Sequence, residues 1–133
     1  GINAEYGEMQ FIAIAFSNAI SDCAQKQLGK PYVYYAAGPN SFDDAGLVFY
    51  CFQQIGRKVS KEAKYQCMSG YEVSEAFAEP GDIVCFNQPS ATHVGIYTGV
   101  DEMIHSTSPG DVVKRSTYKW PGSTAKFTGI RRL

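Results

Sequence analysis

The residues best suited to chemistry in this 133-residue sequence are an adjacent pair of aspartates and the only two histidines. Asp43 and Asp44 follow a Gly/Pro-rich loop and open an amphipathic helix, where unpaired backbone N–H groups and the helix dipole favour an anion. His93 and His105 lie in two predicted strands joined by a short turn, so both rings can reach one face of a hairpin. Covalent catalysis needs a nucleophile, a base and a group that orients the base, but here a carboxylate takes the nucleophile's place.

Composition limits the classes of partner. Hydrophobic residues make up 44% of the chain and charged residues 19%, which is typical of a globular protein. The net charge of −1 offers no electrostatic surface for nucleic acid or an anionic membrane. The longest apolar run, residues 11–16, is too short to span a bilayer, and no signal-peptide pattern opens the chain. We therefore predict one domain over residues 1–133, without a nucleic-acid partner or a membrane span.

The cysteines allow two interpretations. Cys23, Cys51, Cys67 and Cys85 form no CxxC pair, which argues against a zinc ribbon or a thioredoxin-like site. An even count permits two disulfides in an oxidising compartment, with three possible pairings. The same residues also suit four separate places in an apolar core, and this second interpretation is the one that we favour.

Helical patterns fill the first half of the chain. A helix is predicted over residues 9–28, ended by Gly29 and Lys30-Pro31. A second helix is predicted over residues 44–55, with Asp43 or Asp44 at its N-cap, and a short third helix starts from a Ser60 cap and ends at Gly70. The apolar face predicted for the first helix consists of Ile12, Phe16, Ala19, Cys23 and Ala24.

Period-two patterns fill the second half, after the turn at Pro80-Gly81-Asp82. Strands are predicted over residues 82–87, 93–99, 102–106, 112–117 and 127–133. Helices that precede a run of antiparallel strands indicate the α+β class rather than a parallel βαβ sheet.

Five segments in this order resemble the NlpC/P60 family of papain-like cysteine peptidases, which cleave peptide stems of bacterial cell walls. The segments are GKPYVYYAAGPNSFDDAGLVFYCFQQIG, EPGDIVCF, HVGIYTG, MIHS and FTGIRRL, so the resemblance covers residues 20–133. It implies the papain-like α+β fold of that family, with N-terminal helices packed on a C-terminal antiparallel sheet. It also implies an extracellular or cell-envelope location.

The resemblance assigns roles to individual residues. His93 falls on the general base and His105 on the residue that orients it. Tyr32 falls on a tyrosine that lines the pocket, and Asp43 falls on an aspartate that recognises the free amine of the substrate.

Three positions depart from the family pattern. Asp44 stands where the family has its nucleophilic cysteine, and Ala45 stands where the next residue, a serine, assists substrate recognition. Tyr35-Ala36-Ala37 replaces the usual Gly-Gly turn. Cys51 cannot supply the missing thiolate, because seven residues at about 1.5 Å each place it about 10 Å along the same helix. The sequence therefore predicts that the family's peptidase chemistry is lost.

Three functions fit these residues. The first is a pseudoenzyme that binds a peptidoglycan stem peptide or a protein partner in the former active-site groove, with no cofactor. The second is an active cell-wall peptide hydrolase with a repurposed Asp44, His93 and His105 site, in which two imidazoles and a carboxylate are also ligand types suited to a metal ion. The third is a scaffold whose function lies on another surface and in which Asp44 is only a helix N-cap.

Overall fold

The computed structural model describes residues 2–119 and 125–133 of the chain. Three α-helices precede most of the sheet, namely α1 (Ile2–Lys26), α2 (Asp44–Gln54) and α3 (Ala63–Gln66). Among the described side chains, α1 is buried only from Ile20 onward, so the predicted apolar face fails at Ile12, which is 52% exposed. The side chain of Phe16 lies outside the described part of the structure.

The third helix starts later than predicted. Its N-cap is Glu62, not Ser60, and it has only four residues. The Ser60 hydroxyl instead accepts a hydrogen bond from the Glu62 backbone N–H at 3.1 Å. This local turn competes with the helix for the same serine oxygen, which is why the capping signal is displaced by two residues.

The sheet has six strands in the order β1-β6-β2-β3-β4-β5, and every described pair is antiparallel. The strands are β1 (Tyr71–Val73), β2 (Ile83–Phe86), β3 (His93–Gly99), β4 (Glu102–His105), β5 (Lys114–Thr117) and β6 (Phe127–Arg132). The predicted α+β class is confirmed. The three-residue β1 was not predicted, because it forms only by pairing with β6, far along the chain. The predicted fifth strand begins at residue 112, but Val112 and Val113 lie outside β5. They pair instead with the loop at Lys30 and Pro31.

The core lies on both faces of this sheet. Leu47, Val48, Cys51 and Phe52 of α2 are fully or almost fully buried in a cluster that also takes in Ile83 and Cys85 of β2. Val84 and Phe86 point the other way, into a smaller cluster with Tyr118. Because both faces of β2 are covered, the strand is a continuous apolar run.

All four cysteines are paired, so the favoured interpretation of four separate core residues is wrong. Cys23 of α1 bonds Cys51 of α2, and Cys67 after α3 bonds Cys85 of β2. The Cα atoms of the two pairs lie 5.5 and 6.0 Å apart, inside the usual range for disulfides. Sequence spacing could not choose among pairings, because each bond joins elements that only the tertiary fold brings together.

A buried ion pair fixes the start of β2 against the end of β6. The Asp82 carboxylate, which is 1% exposed, accepts hydrogen bonds from Arg132 Nε at 2.8 Å and Nη2 at 2.9 Å. It also accepts from the Glu79 backbone N–H at 2.8 Å, which closes the turn before the strand. These bonds to Asp82 and the proximity of Glu79 raise the pKa of Arg132 further above its ordinary value. No helix in the described ranges is long and apolar enough to cross a membrane.

Candidate functional site

Asp43 is the residue that caps α2. Its Oδ1 accepts a hydrogen bond from the Gly46 N–H at 2.6 Å, and its Oδ2 accepts from the Tyr35 N–H at 3.1 Å. Burial raises the pKa of Asp43 and the neighbouring Asp44 adds to the rise, while the two backbone donors oppose it. Gly46 is needed here, because a Cβ would collide with the carbonyl oxygen of Ala36. The 35–46 segment therefore has one tightly bonded geometry.

Asp44 does not cap the helix but faces the sheet from its first turn. Its Oδ2 lies 3.3 Å from Nδ1 of His93 and accepts a hydrogen bond from the Val94 N–H at 3.2 Å. The side chains of His93 and Asp44 are only 10% and 17% exposed. The helix N-terminus also favours a negative charge at this position. A partly buried carboxylate thus lies directly against the imidazole of His93.

The two histidines meet as the hairpin pattern predicted. His93 Nε2 and His105 Nδ1 are 2.8 Å apart, on the adjacent strands β3 and β4. Gly95 lies between them on β3, and a Cβ there would come within 3.2 Å of the His105 Cβ. Glycine at this position allows the two strands to bring the rings together. The far nitrogen of His105, Nε2, lies 2.8 Å from the Ser116 hydroxyl on β5.

His105 is neutral in the folded protein. Its side chain is buried, and this burial, together with the nearby charges of His93 and Lys114, lowers the pKa of His105 from 6.5 to about 3. A neutral imidazole carries one N–H, so His105 donates to one neighbour and accepts from the other. His93, His105 and Ser116 therefore form a continuous hydrogen-bonded chain, and the Asp44 carboxylate lies at ion-pair distance from His93 Nδ1 at one end of it.

Tyr32 and Ala45 lie close to this chain in different ways. Burial and the carboxylates of Asp44 and Asp43 raise the pKa of Tyr32, so its phenol lies within their electrostatic reach. Ala45 is 3% exposed, and its carbonyl accepts a hydrogen bond from Gln66 Nε2 at 2.9 Å. The same nitrogen donates to the Ser60 carbonyl at 2.7 Å, so Gln66 joins the start of α2 to the loop before α3.

An open groove of about 340 Å³ runs past Asp43, Asp44 and Ala45. Tyr34, Tyr35 and Tyr65 also line it, and all three are exposed, with Tyr34 at 76%. Lys61, Glu62 and Lys64 line it as well. The groove therefore offers charges of both signs together with aromatic faces.

Sequence reasoning missed Ser116 and Gln66. Ser116 lies in the four-residue strand β5, whose residues alternate between half-buried and exposed, and nothing in that local pattern marks it as a partner of His105. Gln66 is fully buried, and its Oε1 has no hydrogen-bond partner among the described residues. Both contacts depend on sheet order or helix packing, which local patterns do not contain.

The arrangement does not favour a shared metal ion. Both ring nitrogens of His93 are already directed to neighbours, one to Asp44 and the other to His105. The three side chains thus form a line instead of converging on one point, as ligation requires. Across residues 2–119 and 125–133 no group of three His, Cys, Asp or Glu side chains has metal-binding geometry.

Comparison with known proteins agrees with this fold. The model of the NlpC/P60 family matches residues 29–132, and the chain belongs to that family. The family resemblance inferred from the five sequence segments is thereby confirmed. The single domain over residues 1–133 stays a prediction.

Two curated relatives show the extent of the similarity. "Probable endopeptidase p60" of Listeria grayi is 38% identical over 109 residues, which are 81% of this chain and 21% of that protein. A "Probable endopeptidase" of Corynebacterium glutamicum is 38% identical over 94 residues, which are 71% of this chain and 44% of that protein. This chain therefore spans less than half the length of these relatives.

Solved structures share the same architecture. The NlpC/p60 domain of the peptidoglycan hydrolase SagA has a TM-score of 0.78 at 29% identity, over 88% of this chain and 98% of that one. NlpC1 of Trichomonas vaginalis has a TM-score of 0.79 at 28% identity, over 87% of this chain and 43% of that one. RipD of Mycobacterium tuberculosis, described as a non-catalytic NlpC/p60 domain protein, shares the fold. Its TM-score is 0.76 at 21% identity, over 89% of this chain and 97% of that one.

Proposed function

We propose that this domain binds a peptidoglycan stem peptide in the groove beside Asp43 and Asp44 and does not cleave it. The observation that carries the proposal is the carboxylate of Asp44, which lies 3.3 Å from the ring of His93 where the family's peptidase chemistry requires a thiolate. All four cysteines are held in disulfides, so none is available as a replacement nucleophile.

A carboxylate cannot take over the role of the thiolate. Attack by Asp44 on an amide would form a mixed anhydride, which is higher in energy than the amide that it replaces. In addition, His93 Nδ1 faces the carboxylate of Asp44 and His93 Nε2 faces His105, so the base lies against a carboxylate instead of a thiol. The retained pair of histidines then serves to hold Asp44 in place.

Binding is supported by the chemistry of the groove. A stem peptide detached from its sugar carries a free amino group, and the carboxylates of Asp43 and Asp44 on the groove wall can receive it. The exposed rings of Tyr34 and Tyr35 offer apolar contact at the same end. SagA, which shares 29% identity with this chain, is named a peptidoglycan hydrolase, and loss of the nucleophile would leave such a substrate site as a binding site.

The location that fits this proposal is the cell envelope or the extracellular space. Disulfides form and persist in oxidising compartments, and this domain has two. The cell-wall relatives favour the same location. A protein partner seated in the groove in place of the peptide is the second candidate ligand, since the exposed tyrosines suit either.

Two alternatives remain for the test to separate. The hydrolase that uses Asp44, His93 and His105 would have to cleave without a thiol, and the linear geometry of these residues does not favour a metal ion between them. The scaffold alternative would leave the groove empty of ligand. Its specific expectation that Asp44 is only a helix N-cap is corrected, because Asp43 has that role.

The experiment compares the native chain with an Asp44→Cys/Ala45→Ser variant on muropeptides that carry a free N-terminal L-alanine. Cleavage is followed by mass spectrometry and binding by calorimetry. We expect the native chain to bind without cleaving, and the variant to cleave, because the base and its orienting residue are already in place. A third variant that adds His93→Gln to the double change should again bind without cleaving.

Each other outcome has a defined meaning. Cleavage by the native chain would overturn the loss of catalysis, and sensitivity of that cleavage to chelators would then test the metal alternative. Failure of both proteins to bind any muropeptide would overturn the peptide-binding function and favour the scaffold. If the reverted variant binds a muropeptide but does not cleave it, the proposed binding function stands. The groove would then no longer position a scissile bond.

A further inference from the structure

A second pocket, larger than the groove, lies beside the C-terminal half of α2. Its volume is about 670 Å³, and its apolar part includes Phe49 and Val59. Three cationic residues, Arg57, Lys58 and Lys61, also line it. No sequence motif marks this pocket, and the family's catalytic positions do not extend into it.

The cations of this pocket take part in none of the ion pairs between described side chains. Within residues 2–119 and 125–133, no carboxylate side chain lies at ion-pair distance from Arg57, Lys58 or Lys61. Arg57 donates one hydrogen bond to the backbone oxygen of Leu133, and the Lys61 ammonium lies 4.9 Å from the centre of the Phe49 ring. An anion in the pocket would be attracted by these three neighbouring positive charges.

The pocket and the groove are adjacent. They share one lining residue, and hydrogen bonds from one side chain connect their walls. Lys61 lines both of them. Gln66 is fully buried, and its Nε2 donates hydrogen bonds to two carbonyls. One belongs to Ser60 in the pocket wall, and the other belongs to Ala45 in the groove wall. A ligand that follows the groove away from Asp44 therefore reaches the basic pocket across Lys61.

We infer that the basic pocket binds carboxylate groups of a peptide whose amino end lies against Asp43 and Asp44. This inference rests on the proposed function and assigns the peptide a direction. Charge complementarity selects the ligand class. A polyphosphate would suit the three cations, but it would meet the carboxylates of Asp43, Asp44 and Glu62 in the groove, whereas a peptide with one free amine and several carboxylates carries both signs of charge.

The test is an NMR titration of the ¹⁵N-labelled domain with a stem tetrapeptide that has a free N-terminal L-alanine and a free C-terminal carboxylate. Amide signals of Tyr35 and Asp44 report the groove, and those of Phe49 and Lys58 report the pocket. We expect both sets to shift with one dissociation constant. Lys58→Gln, which changes the pocket alone, should weaken binding about 3-fold, and Lys58→Gln/Lys61→Gln about 10-fold, as expected for partly screened charge pairs.

The matched control is Lys26→Gln/Lys126→Gln, which removes two exposed lysines that line neither cavity and should change the affinity less than about 2-fold. Shifts confined to the groove, with equal affinity for both double variants, would overturn the pocket and leave the proposed function intact. Shifts confined to the pocket would show that the peptide does not occupy the groove. They would overturn both the claim that one peptide spans the two cavities and the proposed peptide binding in the groove. No shift in either set would overturn both proposals.

Discussion

His93 uses both ring nitrogens, and this decides what the site can do. Its Nδ1 faces Asp44 and its Nε2 faces the neutral ring of His105, which in turn contacts Ser116. When His93 carries two protons, His105 accepts at Nδ1 and donates to the Ser116 hydroxyl. When His93 carries one proton, on Nδ1, the direction reverses and Ser116 donates. In both arrangements His105 donates to one neighbour and accepts from the other, so the two contacts fit a neutral His105 ring.

Titration of His105 gives a prediction about pH and stability. The folded pKa of His105, about 3, lies below the ordinary 6.5, so the unfolded chain binds more protons between these two values. This contribution to stability is complete above about pH 6.5 and is lost as the pH falls, by up to about 1.4 kcal/mol per pH unit. His105→Gln removes the contribution, so its free energy of unfolding should depend less steeply on pH.

The measurement is urea unfolding of both proteins at several values between about pH 7 and about pH 4.5. The other groups with shifted pKa values near His105 are shared by both proteins, and the exposed Asp111, with a pKa of about 2, titrates mainly below this range. Parallel pH dependences for the native chain and His105→Gln would contradict the neutral, buried state of His105.

At the scale of elements, α2 matters because its N-terminus supplies Asp43 and Asp44, two of the three carboxylates that line the groove. The Asp43 carboxylate accepts hydrogen bonds from the Gly46 N–H at the start of the helix and from the Tyr35 N–H in the preceding loop. Ala36 accepts from the Asp43 backbone N–H at 2.9 Å, which ties the same loop to the helix a second time. Tyr35 itself has a φ of +66°, a conformation that costs free energy for a tyrosine and that these bonds help to hold.

Asp43→Ala tests this local framework. We expect the free energy of unfolding to fall by about 1–2 kcal/mol, because the change removes an N-cap acceptor and leaves two backbone N–H groups without it. Chemical denaturation of the variant measures the effect. Asp22→Ala, at an exposed position inside α1, is the matched control and should change stability by less than about 0.5 kcal/mol. An equal loss in both variants would show that the cap contributes nothing specific.

At the scale of the whole molecule, the two disulfides join the layers. Cys23–Cys51 connects α1 to α2, and Cys67–Cys85 connects the segment after α3 to the centre of the sheet. The second bond lies beside Gln66, which positions the wall between the groove and the basic pocket. Stability of the fold and geometry of the binding surface are therefore linked through this part of the chain.

Cys67→Ala/Cys85→Ala tests that link. The bond closes a loop with a sequence separation of 18 residues, and loss of such a cross-link should lower the free energy of unfolding by about 3 kcal/mol. Urea unfolding under non-reducing conditions measures the change, with Met68→Ala, at an exposed neighbouring position, as the control. A loss below about 1 kcal/mol would mean that packing alone holds the α3 segment to the sheet.

Local signals in the sequence located the central residues of the site. The N-cap, the turn between β3 and β4, and the alternation of the strands all act over a few residues, so they placed Asp43, Asp44, His93 and His105 correctly. The same signals predicted the α+β class and five of the six strands. They failed where a local bond competed, as at Ser60, and where an element exists only through a distant partner, as in β1.

The tertiary structure alone decided which distant residues meet. The strand order β1-β6-β2-β3-β4-β5, the two disulfide pairings, the contact of Ser116 with His105 and the bridge made by Gln66 all join residues that are separated along the chain. Local propensities carry no information about such pairings, because these are selected by burial of both sheet faces and by satisfaction of buried polar groups in the complete fold. The basic pocket beside α2 is a more local feature, because residues 49–61 line it, but the sequence does not show that the loop after α2 encloses a cavity with the helix.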